Sequence, residues 1–321
     1  MKAAISANFL TFILGVLVSV VPILQAAAKT NATAPAADLA MYRQKHLAQC
    51  GDSYLQRQTP QLMRKTDVEL YYLCFEGFAV GYSGVSRTAL WSAEHLTRAR
   101  IKSAQQLERV NNFHEESRLP DRVKARLADY KNTPYDRGHL SPNGDMATPE
   151  QQYDSFSLAN IVPQNPTQNR TTWRNLESQT RYLAIKYGEV YVVTGAAFEG
   201  SAVKQMRGRV LVPTHLFKAV YVPKLGQAGV YYAPNDDSQR VQIISLNDLT
   251  RRSGLNVMPH LSPNVQAQAL DLPLGQDGKQ DDKPTNRKPP SNTGDHTGFD
   301  WQLLVHLIST IADWVQSLLK S

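Results

Sequence analysis

The chain has 321 residues, of which 42% are hydrophobic and 20% are charged, and its formal net charge is +7. Whole-chain disorder is excluded, because there is enough apolar material to build a core. Two cysteines exclude a disulfide-dense scaffold and a zinc site of four thiolates. The positive charge favours a polyanionic partner but does not prove one.

The first 28 residues have the pattern of a secretory signal peptide. Lys2 is followed by an apolar run over residues 9–24 and by small residues that end at Ala28, as at a cleavage site. An uncleaved membrane anchor is the alternative, because the run approaches the length that spans a bilayer. We therefore predict an exported protein, periplasmic or extracellular, with an N-terminal extension over residues 29–64.

Export changes what the two cysteines imply. Cys50 and Cys74 are the only pair in the chain, and an oxidising compartment allows such a pair to form a disulfide. In the chain-entropy model this bond would stabilise the fold by about 3 kcal/mol. The alternative is a pair of free thiols that are buried.

Residues 65–272 form the predicted catalytic body, in which short strands follow one another closely. A run of strand-like sequence is interrupted at Gly77 and Gly81. The predicted strands lie at residues 68–82, 87–97, 189–195, 215–222, 229–233 and 241–246.

Helices are inserted between these strands. Thr148 is a predicted N-cap with Pro149 at the first helical position. The predicted helices cover residues 148–155, 173–187 and 247–253, and the charged insertion at 100–132 is predicted to be helical as well. This succession predicts an α+β fold with a mostly antiparallel sheet flanked by helices.

The end of the chain differs from the body. Residues 273–298 are rich in Pro, Gly, Asp, Lys and Asn, which predicts a disordered linker. Residues 299–321 carry apolar side chains at helical spacing, which predicts an amphipathic helix. Its apolar stripe must be covered by the body, by another protein or by a membrane. We favour a homo-oligomer or a protein partner, because Lys320 is its only cation and a membrane surface would gain little from it.

The densest polar cluster lies at residues 135–146. Composition alone indicates a surface loop, because Gly, Asn, Asp and Pro are turn residues. The order within the cluster is more informative than its composition. The motifs are Asp136-Arg137-Gly138-His139, then Asn160-Ile161-Val162-Pro163-Gln164, Asn169, Trp173 through Glu177, and Arg181 one helical turn later.

Together these motifs resemble the DNA/RNA non-specific endonuclease family, which includes endonuclease G and secreted bacterial sugar-non-specific nucleases. The similarity covers about residues 65–255. It implies an α/β nuclease with a ββα-metal finger, also called a His-Me finger, at its active site. It also implies hydrolysis of DNA and RNA with Mg²⁺, for which Mn²⁺ could substitute.

The resemblance implies a role for each matching residue. His139 matches the general base, and Asn169 matches the one side chain that ligates Mg²⁺ directly. Glu177 matches an acid that holds metal-bound water. Asp136 is expected to orient the site and its metal waters, and Asn160 to maintain its geometry.

Arginines of the family contact the phosphate. Arg137 and Arg181 match two of these positions. An upstream arginine near a strand that bears Trp is best matched by Arg87, and the alternatives are Arg98, Arg100 and Arg109.

The chemistry agrees with these residue types. A neutral imidazole with an ordinary pKa of about 6.5 can accept a proton from water, so the rate is expected to rise between pH 6 and 7. Mg²⁺ needs few protein ligands, and none of these groups reads a base edge. The other hypotheses are a nucleic-acid-binding or uptake module that has lost catalysis, and a membrane-associated interaction protein.

Overall fold

The computed structural model describes residues 46, 48–63, 68–275 and 279–280. The predicted signal peptide, most of the predicted linker and the predicted C-terminal helix lie outside the described residues. No helix in the described ranges is long and apolar enough to cross a membrane.

The strands of the described residues form one large sheet and three small ones. In chain order they are β1 (Gln61–Leu62), β2 (Leu70–Phe75), β3 (Phe78–Ser83), β4 (Thr88–Thr97), β5 (Asp136–His139), β6 (Ile161–Gln164), β7 (Glu189–Ala197), β8 (Gln205–Met206), β9 (Val210–Leu211), β10 (His215–Val222), β11 (Gln227–Pro234), β12 (Arg240–Ile244), β13 (Leu255–Asn256) and β14 (Lys279–Gln280). The large sheet has the order β14-β12-β11-β10-β7-β4-β3-β2, and the small sheets are β1-β13, β5-β6 and β8-β9. Every pair is antiparallel except β12 with β14.

Helices cover this sheet and connect its strands. The α-helices with both ends described are α1 (Arg98–Ala104), α2 (Leu127–Tyr130), α3 (Pro149–Ser155), α4 (Arg174–Tyr187), α5 (Leu246–Ser253) and α6 (Pro263–Ala267). Short 3₁₀ turns lie at Gly51–Ser53, Leu55–Arg57, Asn143–Asp145 and Leu158–Asn160, and a π-helical segment spans Gln168–Trp173. The α+β fold with a mostly antiparallel sheet is therefore confirmed.

The core lies around β4 and β7, which are neighbouring strands in the interior of the large sheet. Both are buried along almost their whole length. Helix α4 contacts both strands, and its buried side chains include Leu176, Leu183 and Ala184. Strand β6 also contacts β4. The chain that carries the motifs is thus packed directly on the centre of the sheet.

Local sequence signals for the helices are confirmed. The Thr148 side chain accepts a hydrogen bond from the backbone of Gln151, and Pro149 begins α3. Helix α5 ends at Gly254, whose φ of 71° lies in the left-handed region that suits glycine. Leu246 begins this helix, so the strand predicted over residues 241–246 ends before it.

The two glycines in the first hairpin have different roles. Gly77 lies in the turn between β2 and β3 with a φ of 93°. Gly81 does not interrupt a strand, contrary to the prediction, because it lies inside β3. A Cβ there would overlap with the indole of Trp91, so the residue is required by packing rather than by a turn.

The insertion at residues 100–132 is not mainly helical, and the prediction of a helix there is wrong. Residues 108–126 contain turns and extended chain between α1 and α2. Tertiary contacts fix this path, because the Leu158 amide donates to the His114 carbonyl oxygen over 2.8 Å. Arg118 also pairs with the buried Glu116 at 2.7 Å.

Residues 48–63 pack on the same body as the rest of the fold. Tyr54 is buried and contacts Trp91 edge to face, with ring centroids 5.8 Å apart. Strand β1 pairs with β13. Cys50 and Cys74 are free thiols in this structure and line one cavity. The predicted N-terminal extension thus contributes to the core.

Candidate active site

A two-stranded hairpin presents the histidine of the densest motif. Strands β5 and β6 pair so that His139 lies opposite Ile161. Gly138 precedes His139, and a Cβ at Gly138 would overlap with the Gln164 side chain. Glycine therefore leaves room for the Gln164 side chain to pack against β5 at this point. With α4 following, the arrangement is the predicted ββα unit.

The imidazole of His139 lies between two aromatic rings. Its centroid is 5.4 Å from that of Phe113 and 5.1 Å from that of Phe156. Its Nε2 atom is buried and has no hydrogen-bond partner among the described residues. Burial, together with the charges of Arg109 and Arg137, lowers the pKa of His139 to about 3. The ring is therefore neutral at neutral pH and keeps an unused ring nitrogen.

Asn169 and Asp136 are brought together, as their proposed roles require. Asn169 Nδ2 donates to Asp136 Oδ2 over 2.9 Å. Burial acts to raise the pKa of Asp136, but hydrogen bonds from Arg170 and Asn169 hold it below its usual value. Because the amide nitrogen faces Asp136, the amide oxygen of Asn169 is oriented away from that carboxylate. Arg170 was not anticipated, although it is adjacent to Asn169 and donates to both Asp136 oxygens.

Glu177 and Arg181 lie on α4, but no ion pair joins them among the described contacts. Burial is the largest effect on Glu177 and raises its pKa to about 7. Arg181 turns instead to Asp145, with Nη1 2.9 Å from Oδ1. The Asp145 carboxylate is almost fully buried. Arg181 thus anchors α4 to the 3₁₀ turn that follows β5.

Asn160 is a fully buried residue that holds the chain after His139. Its Oδ1 accepts from the Ser141 amide over 3.0 Å, and its Nδ2 donates to the Ser141 carbonyl over 2.8 Å. Nδ2 also donates to the Ser155 carbonyl over 2.9 Å. These three bonds join the segment after β5 to the segment before β6, as expected of a residue that maintains the geometry of the site.

Two arginines lie at the aromatic rings that surround His139. The Arg137 guanidinium lies 4.0 Å from the Phe113 centroid, and the Arg109 guanidinium lies 5.4 Å from the Phe156 centroid. Both charges act on the pKa of His139. The structure therefore brings Arg109, one of the alternatives, to the site.

Arg87 is not brought to this site. Its Nη1 donates to the Arg209 carbonyl over 3.0 Å and its Nη2 to the Arg122 carbonyl over 2.9 Å. Arg98 binds the Ile185 carbonyl and Arg100 binds the Asp145 carbonyl, over 2.7 and 2.8 Å. These arginines hold loops and helix ends in place by satisfying backbone oxygens.

Buried charges lie beneath the site. Glu94 in β4 is fully buried, and neither carboxylate oxygen has a hydrogen-bond partner among the described residues. Its closest counter-charge is Arg100, at 3.6 Å. Lys218 in β10 is buried and donates to Thr194 over 2.7 Å. Sequence reasoning missed both, although each is a lone charge within a strand of apolar residues.

The Glu94 environment gives a prediction about stability. Burial first, and then the charge of Asp145, raises its pKa from 4.5 to about 8. The folded protein thus keeps the Glu94 proton to a higher pH than the unfolded chain does. The free energy of unfolding is therefore highest below the unfolded pKa and decreases as pH rises towards 8. We expect Glu94→Gln to be more stable than the wild type by about 2 kcal/mol at pH 8.5 but not at pH 4.5. Urea unfolding at both pH values measures this, and a difference independent of pH would contradict it.

Comparison with known proteins supports the family resemblance that the sequence motifs predict. A family model described as DNA/RNA non-specific endonuclease matches residues 56–264. A nuclease of Nostoc sp. is 32% identical over 213 residues, covering 61% of this chain and 76% of that protein. Human mitochondrial endonuclease G is 31% identical over 221 residues, covering 63% of this chain and 72% of that protein.

A solved structure of EndoG in complex with EndoGI shows the same fold. Its TM-score is 0.56 at 22% identity, covering 61% of this chain and 88% of that chain. The fold and these similarities define an α+β enzyme that hydrolyses nucleic acid. The chain belongs to the DNA/RNA non-specific endonuclease family.

Proposed function

We propose that this enzyme cleaves both DNA and RNA internally with Mg²⁺, and that His139 is its general base. The observation that carries the proposal is the buried Nε2 of His139, which has no partner among the described residues. Its pKa of about 3 leaves it unprotonated at neutral pH. An unprotonated nitrogen beside two arginines can accept a proton from water next to a bound phosphate.

The oxygen donors that we assign to the metal ion are of the kind that a hard cation binds. The amide oxygen of Asn169 and the carboxylates of Asp136 and Glu177 are oxygen ligands of the kind that Mg²⁺ and Mn²⁺ accept. Asn169 would ligate the ion, Glu177 would hold its water, and Asp136 would orient the amide through their hydrogen bond. When bound, the ion would neutralise charge on the scissile phosphate and on the departing 3′-oxygen.

The remaining residues either bind the substrate or hold the site in place. Arg109 and Arg137 present guanidinium groups beside His139, suited to phosphate oxygens. Arg181 acts through Asp145 to hold α4, and Asn160 fixes the chain after His139. Because Arg109 and Arg137 would contact the phosphate backbone and not the base edges, binding should depend little on nucleotide sequence.

Digestion of purified substrates tests this function. Supercoiled plasmid and single-stranded RNA are incubated with the enzyme and Mg²⁺, with Mn²⁺, or with a chelator. We expect nicking and linearisation of plasmid and fragmentation of RNA with either metal, and none with the chelator. Binding without cleavage in Mg²⁺ and Mn²⁺ would favour a nucleic-acid-binding module. Cleavage that persists in the chelator would contradict the metal requirement.

We also propose that the protein is exported to the periplasm or beyond, because residues 1–28 have the pattern of a cleavable signal. N-terminal sequencing of protein from the cell exterior or periplasm should give a chain that begins after Ala28. Retention of residues 1–28 in the membrane fraction would indicate an anchor instead.

A protein partner or a second copy is proposed for the helix predicted at residues 299–321, whose sequence has an apolar stripe. Removal should begin at residue 281, because Leu272 and Leu274 pack on the core. The truncated enzyme should keep its specific activity and lose apparent mass or a partner. Loss of liposome binding alone would favour a membrane surface.

The contrast between Arg109 and Arg87 is testable. Arg109→Ala should lower kcat/KM about 10²-fold, because a charge beside the reacting phosphate is lost. Arg87→Ala should keep kcat/KM within about threefold but lower unfolding free energy by about 1–2 kcal/mol, because two carbonyl oxygens lose their donor. Initial plasmid-nicking rates and urea unfolding measure both, and Arg109→Lys is the charge-conserving control. A larger rate loss in Arg87→Ala would restore that residue as the phosphate ligand.

The pH dependence of the cleavage rate should distinguish the protonation of His139 from the protonation of Glu177. The imidazole pKa of about 3 means that His139 causes no loss of rate between pH 7 and 6, unlike an ordinary histidine. Burial raises the pKa of Glu177 to about 7, so its protonation should lower the rate below that pH. We expect this decrease in the wild type at low Mg²⁺, a weaker decrease at saturating Mg²⁺ because the cation favours the carboxylate, and no decrease in the slower Glu177→Gln. A decrease that persists in Glu177→Gln would contradict this assignment.

A further inference from the structure

The two cysteines of the chain lie next to each other at one edge of the body, away from the contacts described for His139. Cys50 ends a helical stretch at residues 48–50, and Cys74 lies in β2. Both cysteines line the same cavity, and each thiol acts on the pKa of the other. Cys50 belongs to the hydrophobic core and Cys74 packs against it, so packed elements hold both sulfurs in place.

The surroundings make the two thiols chemically different. Cys50 Sγ is buried, lies 3.5 Å from His46 Nε2 and donates to the His46 carbonyl over 3.6 Å. The neighbouring Cys74 thiol, together with burial, raises the pKa of Cys50. The Cys50 thiol and the charge of Arg118 lower the pKa of Cys74. Cys74 is therefore the thiol that ionises more readily, and Cys50 keeps its proton.

A cavity opens at this thiol pair. Its volume is about 760 Å³, and both cysteines line it together with His95, Arg100, Arg118 and Asp154. This volume lies within the range of sites that hold small molecules. Arg118 is fixed there, because its Nη1 donates to the Cys74 carbonyl over 2.6 Å. A small dissolved molecule thus has a route to Cys74 that does not require unfolding.

We propose that Cys50 and Cys74 form a disulfide by exchange with a low-molecular-weight disulfide, such as oxidised glutathione, that enters this cavity. The Cys74 thiolate attacks one sulfur of the small disulfide, whose S–S bond breaks and releases one small thiolate. Cys50 then loses its proton to solvent and attacks the Cys74 sulfur, which releases the second small thiolate. Two protein thiols are oxidised and one small disulfide is reduced to two thiols.

The new bond would join the segment around Cys50 covalently to β2. In the unfolded chain it would close the loop between residues 50 and 74, which lowers the entropy of that chain. The oxidised protein should therefore melt roughly 6–12 °C higher than the reduced protein. Because the contacts that position His139 do not involve either cysteine, the rate of nucleic-acid cleavage should be the same in both forms.

Thiol labelling of the full chain tests the proposal without reference to nuclease activity. Reduced, desalted protein is incubated with oxidised glutathione, quenched in acid, denatured and labelled with a maleimide. We expect two labels before oxidation and none afterwards, with a monomer mass lower by two hydrogens. Two remaining labels, or oxidation only to covalent dimers on a non-reducing gel, would overturn the proposal.

Single variants test which thiol attacks. Cys50→Ser should accumulate a mixed disulfide with glutathione at Cys74, and Cys74→Ser should react at least tenfold more slowly. Faster reaction of Cys74→Ser would overturn the assignment of Cys74. If either variant fails to fold, rapid acid quenching of the wild type and peptide mapping replace it, because trapped glutathione should lie on Cys74 and not on Cys50.

Discussion

Replacement of His139 by Ala should lower the rate of phosphodiester cleavage by about 10²–10⁴-fold, the usual contribution of a general base. Nucleic-acid binding should change little, because the charges that hold the backbone, on Arg109 and Arg137, remain. The cavity left between Phe113 and Phe156 should cost about 1–3 kcal/mol of stability. Single-turnover cleavage and filter binding measure the two functions separately.

His260 supplies a matched control for this experiment. It is an exposed histidine outside the motif, so His260→Ala should keep both cleavage and binding. His139→Gln, which fills part of the space without a basic nitrogen, should be as slow as His139→Ala but more stable. Near-normal cleavage by either His139 variant in a folded state would remove His139 as the base and would transfer that role to another group.

The sequence was most informative where structure is decided locally. Thr148 and Pro149 start α3 through contacts within one turn of helix, and Gly254 ends α5 in the same way. The motifs around His139 and Asn169 were equally readable, because each is a short run whose order resembles one family. The position of these runs on a ββα unit then followed from the pairing of β5 with β6 and from the start of α4.

The features that the sequence did not predict depend on contacts between residues that are far apart in the chain. Arg109 reaches the site through a segment without helix, whose course is set by bonds such as that from Leu158 to His114. Arg181 has its partner at Asp145, 36 residues earlier, which no spacing along α4 indicates. The behaviour of a lone charged residue such as Glu94 depends on its burial, which no local sequence pattern predicts. In each case the deciding energy is a long-range electrostatic or packing interaction.

The second large effect is expected at Asn169. Asn169→Ala should lower the cleavage rate by about 10²–10³-fold and raise the Mg²⁺ concentration needed for half-maximal rate by 10–100-fold. The reason is that the amide oxygen is the one side-chain ligand assigned to the ion, while its nitrogen is held by Asp136 over 2.9 Å. Rates measured over a Mg²⁺ titration separate loss of affinity from loss of rate at saturation.

Arg170 is the matched control, because it is the next residue and donates to the same Asp136 carboxylate over 2.8 and 2.6 Å. Arg170→Ala should loosen Asp136 and slow cleavage less than about tenfold, with little change in the Mg²⁺ requirement. If Arg170→Ala raised that requirement as much as Asn169→Ala, the common partner Asp136, and not the amide, would be the group that binds the ion. Asn169→Asp decides between these cases, because a carboxylate keeps a ligating oxygen but repels Asp136. It should bind Mg²⁺ better than Asn169→Ala and still cleave more slowly than the wild type.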